Sequence, residues 1–253
     1  MLKIKVTNSK NQTLQITQNA SYQLVSIKGI NPTVANISTT ELATTDGAEF
    51  NVARAQKRNI VLTIQPLGDV EQKRQALYPY FSPKSKISLE VITSNRDVVV
   101  DGYVESFEVD YNANPELFQI IIICPSAYLK AKTPVSVSGT TFPLAVNNPS
   151  EIRQGAVFTV TFNGNASYLS ITNNTNGESL SLTGSFVSGD VIRIDTIAGE
   201  KEIKNTRTQQ SVIAGLNLSS KWVQLEGGTN GISVSASNLS AFNVAFTPLY
   251  MGV

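Results

Sequence analysis

The sequence predicts an all-β fold, mainly strands with one short helix, on three observations. Apolar residues recur at every second position along most of the chain, the mark of half-buried strands. Charged residues make up only 15% of the 253, and Asn, Ser and Thr supply the missing polarity, a composition that favours turns and weakens helix interiors. One segment alone drops the period of two for helical spacing.

The strands come in order. Leu2, Ile4 and Val6 share one face of the first, and Ile60, Leu62 and Ile64 do the same further on. Ile87, Leu89 and Val91 form the next set, followed by Phe107, Val109 and Tyr111. Gln119 to Tyr128 holds four consecutive isoleucines, too short to span a bilayer and suited to a strand buried on both faces. Later sets are Phe158, Val160 and Phe162; Ile192 and Ile194; Ile232 and Val234; and Phe242, Val244 and Phe246. Asn163–Gly164, Asn176–Gly177 and Asn230–Gly231 are expected at tight turns, because such pairs supply the positive φ that hairpins need.

The helix is expected over residues 69–81, where Val70, Leu77 and Phe81 fall on one face. Asp69 is placed to cap its N-terminus with Gln72 at the capping-box position, and Pro79 and Pro83 to end it.

The length favours two domains. Charge density falls after the isoleucine run, and Thr133–Pro134 opens a Ser/Thr/Gly-rich half, so the boundary is expected near residues 130–145. That gives domains of 1–132, with strands and the helix, and 133–253, with strands alone. Residues 1–132 carry 14 Lys/Arg against 12 Asp/Glu, and 133–253 carry 6 against 7. Neither half has the concentrated positive patch of a nucleic-acid surface. No signal-peptide or membrane-spanning pattern is seen, so folding in a reducing cytoplasm without membrane insertion is expected.

Chemistry is sparse. The chain has no histidine, so the commonest general base and metal ligand is missing and a Ser-His-Asp triad is excluded. Cys124, the single cysteine, adjoins the isoleucine run, where burial blunts a thiol. Carboxylate pairs suited to glycoside hydrolysis are Asp97 with Asp101, Glu105 with Glu108, and Asp190 with Asp195; strand-end solvation explains each better. No catalytic, cofactor or metal residue is assigned. Trp222, the sole tryptophan, reads as a core anchor or, if the chain is a carbohydrate-binding adhesin, as a glycan-stacking ring.

Five stretches together resemble the distal tail (Dit) protein family of siphophages. Arg58 to Phe81 is similar to that family's strand–loop–helix run, with Arg74, Leu77 and Tyr78 in its R-x-x-L-Y. Ser94 to Asn112 resembles its paired strands, and Gln119 to Tyr128 the strand that closes its first domain. Gly189 to Thr196 and Trp222 to Val234 resemble the closing motifs of its second. The resemblance implies an N-terminal β-sandwich with a helix and a β-hairpin, and a C-terminal galectin-like β-sandwich. It implies a homo-hexameric ring in the virion tail tip, made in the host cytoplasm, joining the tail tube protein to the tail-associated protein and peripheral baseplate proteins. DNA would transit its channel without sequence-specific binding. Interface anchors of the expected type are Arg74, Tyr78, Tyr80 and Phe81, although the three aromatics suit helix-on-sheet packing equally well. The alternative function is a receptor-recognising adhesin.

Overall fold

Alternating side chains pair into antiparallel ladders throughout the computed structural model, which describes residues 2–17, 19–44 and 46–253. The chain forms two units, one running up to Lys132 and including Tyr250–Val253, the other Thr133–Leu249. The last four residues, assigned from the sequence to the second domain, therefore group with the first.

The first unit comprises β1 (Lys3–Asn8), β2 (Thr13–Gln15), β3 (Tyr22–Lys28), β4 (Ala35–Glu41), β5 (Ala48–Ala55) and β6 (Arg58–Pro66). Helix α1 (Val70–Phe81) follows, then β7 (Lys86–Ile92), β8 (Asp97–Asp110), β9 (Leu117–Cys124) and β10 (Leu129–Ala131). Its main sheet runs β2-β1-β7-β8-β9-β6-β3, with β10 pairing back onto β8. The long strand β8 serves both halves. Its first half pairs with β7 and its second with β9, and the register shifts between Val104 and Ser106. That bulge moves one residue out of step, so Val98, Val100 and Val104 face the core before it and Phe107 and Val109 pack against the core after it. Both halves of the sheet thus close on one cluster that includes Ile4, Leu62, Leu89 and Ile120.

The helix fills the remaining side of that core. Asp69 caps it by accepting from the Gln72 N–H at 3.0 Å, and Leu77 and Phe81 are fully buried. Lys73 donates to Ser21 Oγ at 2.7 Å, and its ammonium stands 6.0 Å from the centre of the Tyr22 ring, so its stem covers apolar surface. Pro79 lies in the last turn, where it withholds the N–H that would otherwise donate to the Gln75 carbonyl, and Ser82 closes the end on the Tyr78 carbonyl.

The second unit carries β11 (Val135–Ser138), β12 (Leu144–Asn148), β13 (Gln154–Gly155), β14 (Val157–Phe162), β15 (Ala166–Asn173) and β16 (Glu178–Phe186). There follow β17 (Val191–Asp195), β18 (Glu202–Asn205), β19 (Gln210–Ser211), β20 (Gln224–Leu225), β21 (Gly228–Ala236) and β22 (Leu239–Phe246). A six-stranded sheet, β11-β22-β14-β17-β18-β19, and a four-stranded one, β12-β21-β15-β16, share one core. Phe162 stacks on Phe186 at 5.1 Å between ring centres, and Phe158 on Phe242 at 6.3 Å.

The Asn-Gly pairs divide. Asn176–Gly177 makes the β15–β16 turn with Gly177 at φ +71. Asn230–Gly231 instead lies inside β21, a correction to the expected turn. The Asn230 side chain is fully buried, donating to the Glu226 and Gly228 carbonyls while accepting from Asn173. Its own side chain supplies the bonds, so the strand runs through the pair without turning.

Candidate assembly interface

The carboxylate pairs are placed apart in role as well as in space. Asp97, Asp101, Glu105 and Glu108 are all exposed along β8. Asp190 is buried and accepts from the Val187 N–H, Asn205 Nδ2 and Arg207 Nε at 2.8–2.9 Å. Burial pushes its carboxyl upward, but these three donors together hold it below the ordinary value. Asp195 is held by Arg193 at 2.6 Å. Cys124 is fully buried in β9, and burial pushes its thiol up to about 11. Among the described residues no group of three His, Cys, Asp or Glu could hold a metal ion.

The conspicuous surface is a hairpin. Strands β4 and β5 pair only with each other, and every described residue of both is exposed. The register places Ala35 opposite Ala55, Ile37 opposite Ala53, Thr39 opposite Phe50 and Glu41 opposite Ala48. Opposed residues point the same way, so one face of the arm is mainly apolar. Asn36, Arg54, Ser38, Val52, Thr40 and Glu49 form the other. Ile37 is 60% exposed and Phe50 63%. An isolated two-stranded hairpin is at best marginally stable in water, and this one has no core beneath it.

Its root, by contrast, is tightly built. Gly29, at φ +84, brings the entering chain so close to β6 that a Cβ there would lie 1.9 Å from the Asn59 carbonyl oxygen. Arg58, the first residue of β6, is 1% exposed and pairs with no carboxylate among the described residues. One guanidinium nitrogen donates to the Gly29 and Asn31 carbonyls, the latter at 2.6 Å; the other donates to Ala127 at 2.9 Å and Met251 at 2.6 Å. A single side chain therefore ties the segment entering the hairpin, the β9–β10 connection and the chain's last residues. Burial lowers its pKa from the ordinary arginine value without threatening its charge. Val253 N donates to the Ile30 carbonyl at 3.2 Å, and Gly252 packs so closely on Pro32 and Asn31 that a Cβ would sit 2.9–3.0 Å away.

The residues expected at an interface separate. Phe81 is wholly buried and is a core residue, because the helix turns it into the sheet. Tyr80 is partly buried against the same core. Tyr78 remains 40% exposed, edge-on to Phe107 at 5.8 Å, with the Arg74 guanidinium 5.7 Å from its ring centre. Arg74 itself is held by Glu71 one turn earlier, at 2.6 and 2.9 Å. Trp222 packs against the second unit's core, with the Lys201 ammonium 5.4 Å from its ring centre. The resemblance implies a β-hairpin in the N-terminal half, but no residues are assigned to it from the sequence. Its one legible signal is Asp46–Gly47, with Gly47 at φ +96.

Residues 150–250 match the family model of the siphovirus-type tail component, C-terminal domain. The whole chain superposes on the crystal structure of the SPP1 Dit protein, described as a paradigm of hub adsorption apparatus in Gram-positive infecting phages. The TM-score is 0.71 at 13% identity, covering 97% of this chain and 98% of that one. Residues 150–250 thus match a Dit-type tail component domain, and the chain shares the fold of the SPP1 Dit protein. A chain of the phage P2 baseplate in its activated conformation with Ca is similar in fold to this chain, at TM-score 0.51 and 10% identity, each chain covered in full. No curated protein matches the sequence.

Proposed function

We propose that this chain is a Dit-family protein and a structural hub of a siphophage tail tip. It self-associates into a hexameric ring through its first unit, joins the tail tube protein to the tail-associated protein and peripheral baseplate proteins, and leaves a channel for DNA. The observation that carries the reading is the β4–β5 hairpin, an arm with one apolar face and no core of its own. A contiguous exposed apolar surface of this kind marks a protein–protein contact. Its buried root holds the arm in one direction, as a docking element requires.

A head-to-tail contact that closes on itself gives a ring. The near-neutral charge supports a channel through which DNA slides without being gripped. Negative-stain electron microscopy of the purified chain tests the proposal. Rings of sixfold symmetry with a central hole are expected; monomers at every concentration, even when co-expressed with neighbouring tail proteins, would overturn it.

A further inference from the structure

We infer, independently of the hub reading, that Asn163 is a site of covalent change in the folded protein. It lies in the connection between β14 and β15. Its carboxamide is lost to the backbone nitrogen of Gly164, and aspartate or isoaspartate takes its place. That chemistry needs two groups at liberty, a side-chain carbonyl carbon open to attack and a following backbone nitrogen able to shed its proton. Glycine leaves such a nitrogen unshielded by a Cβ. The three Asn-Gly pairs are therefore the candidates, and they differ in what holds those two groups.

Two of the pairs are locked. Asn230 is fully buried; besides the bonds described above, its Oδ1 accepts from the Glu226 N–H at 2.9 Å, and the Gly231 N–H donates to Thr175 Oγ1 at 3.2 Å. Asn176 is half-buried, with its Nδ2 donating to the Gln224 carbonyl at 3.1 Å and to Glu226 Oε1 at 3.0 Å. Its Oδ1 accepts from the Glu178 N–H at 3.0 Å, and the Gly177 N–H donates to the Asn173 carbonyl at 2.9 Å. Asn163 is exposed, and among the described residues neither its carboxamide nor the Gly164 N–H has a hydrogen-bond partner. The pair is held only at its edges: the Asn163 N–H donates to the Asn238 carbonyl at 2.9 Å, and Asn238 Nδ2 donates to the Asn165 carbonyl at 2.7 Å.

The Gly164 nitrogen gives its proton to hydroxide and attacks Asn163 Cγ. The N–Cγ bond forms, the Cγ–Nδ2 bond breaks, and ammonia leaves with a proton from water. Water then opens the cyclic imide at either carbonyl, so the backbone continues through the α- or the β-carboxyl and one carboxylate is gained. No oxidant or reductant enters. The chain goes from a net +1 to neutral at pH 7, and the isoaspartate form adds a methylene to the backbone between the two bonds to Asn238.

The test incubates the full chain at mildly alkaline pH, folded and in urea, and follows the three pairs by peptide mass spectrometry, with enzymatic methylation of isoaspartate as a second readout. In the folded protein Asn163 should convert at least about tenfold faster than Asn176 or Asn230, whose bonds have to open locally first. In urea the three should react at similar rates, because no fixed partners remain. Isoelectric focusing should show the folded wild type turning more acidic, while Asn163→Gln, whose longer side chain closes the imide far more slowly, keeps its position. The site is exposed and unbonded, so that variant should melt as the wild type does. A folded protein in which Asn163 reacts no faster than the other two, or stays intact while the unfolded chain reacts, overturns the proposal. An equal acidic shift in Asn163→Gln does the same.

Discussion

The hairpin arm and the hairpin root are a few residues apart in sequence and opposite in construction. In the arm, Ile37 and Phe50 stand mostly in water, and the support among the described residues is the cross-strand ladder with a bond from Asn51 Nδ2 to Thr40 Oγ1 at 2.8 Å. In the root, one buried arginine satisfies four carbonyls, and two glycines allow approaches that any other residue would block. Fixing an arm that contributes nothing to the core makes sense only if the arm is used outside the chain. The face of β15 and β16 opposite Leu169 and Ile171 is a useful contrast, because it is polar even where Ser170 is buried. Its residues are hydroxyls bonded to one another: Thr172 to Ser179 at 2.9 Å, and Ser170 to Ser179 and Ser181 at 3.3 Å. That face is compatible with water as it stands; the arm's apolar face is not.

The comparison can be broken hardest at Arg58. Arg58→Met leaves four part-buried carbonyls without their shared donor and should cost roughly 2–4 kcal/mol, read as a lower urea midpoint at unchanged slope. Gly29→Ala comes next. It forces both a positive φ on alanine and a backbone clash, and should cost about 2–4 kcal/mol in the same measurement. If either variant unfolds as the wild type does, the root is not the fixed point described here.

Cys124, paired with Arg58 across β6 and β9, gives a pH test of the same place. Its folded pKa of about 11 lies above the ordinary value of about 9. The native thiol therefore keeps a proton that the unfolded thiol has released. Its stabilising effect is complete below about 9 and lost as pH rises towards about 11. Tyr22, also raised by burial, acts in the same direction. Urea midpoints should fall over that window, and Cys124→Ala should flatten the decline; an unchanged slope would mean the thiol is not sealed.

The smallest effect belongs to the arm. Phe50→Ala should change monomer stability by no more than about 0.5 kcal/mol, whereas Phe81→Ala, in the core, should cost about 3–5 kcal/mol. The arm is the better sharpened if Phe50→Ala leaves the melt untouched yet reduces association in sedimentation. A large loss of monomer stability would place Phe50 against a core that the structure does not contain.

Much of this was legible because alternation is a local property. Ile60, Leu62 and Ile64, or Phe158, Val160 and Phe162, announce their strand and buried face within five residues. The helix was equally local, with Asp69 as cap and Leu77 and Phe81 turned inward. The hairpin was missed because β4 carries one large apolar residue among threonines and serine, and a bulge at Asn51 breaks the parity of β5. Asn230–Gly231 misled because its side chain, besides bonding locally, accepts from Asn173 on β15, far back along the chain.

By itself the sequence determined the strand class, the single helix and the absence of histidine chemistry, since periodicity and composition need no third dimension. Only the tertiary structure decided that Phe81 is core and Phe50 is not, although both are phenylalanines in amphipathic elements. It also decided that Arg58 is a buried staple and that the last four residues return to the first unit. Burial and hydrogen bonding depend on which distant segments meet. Arg58 and Met251 are separated by 193 residues, and no local pattern records that they touch.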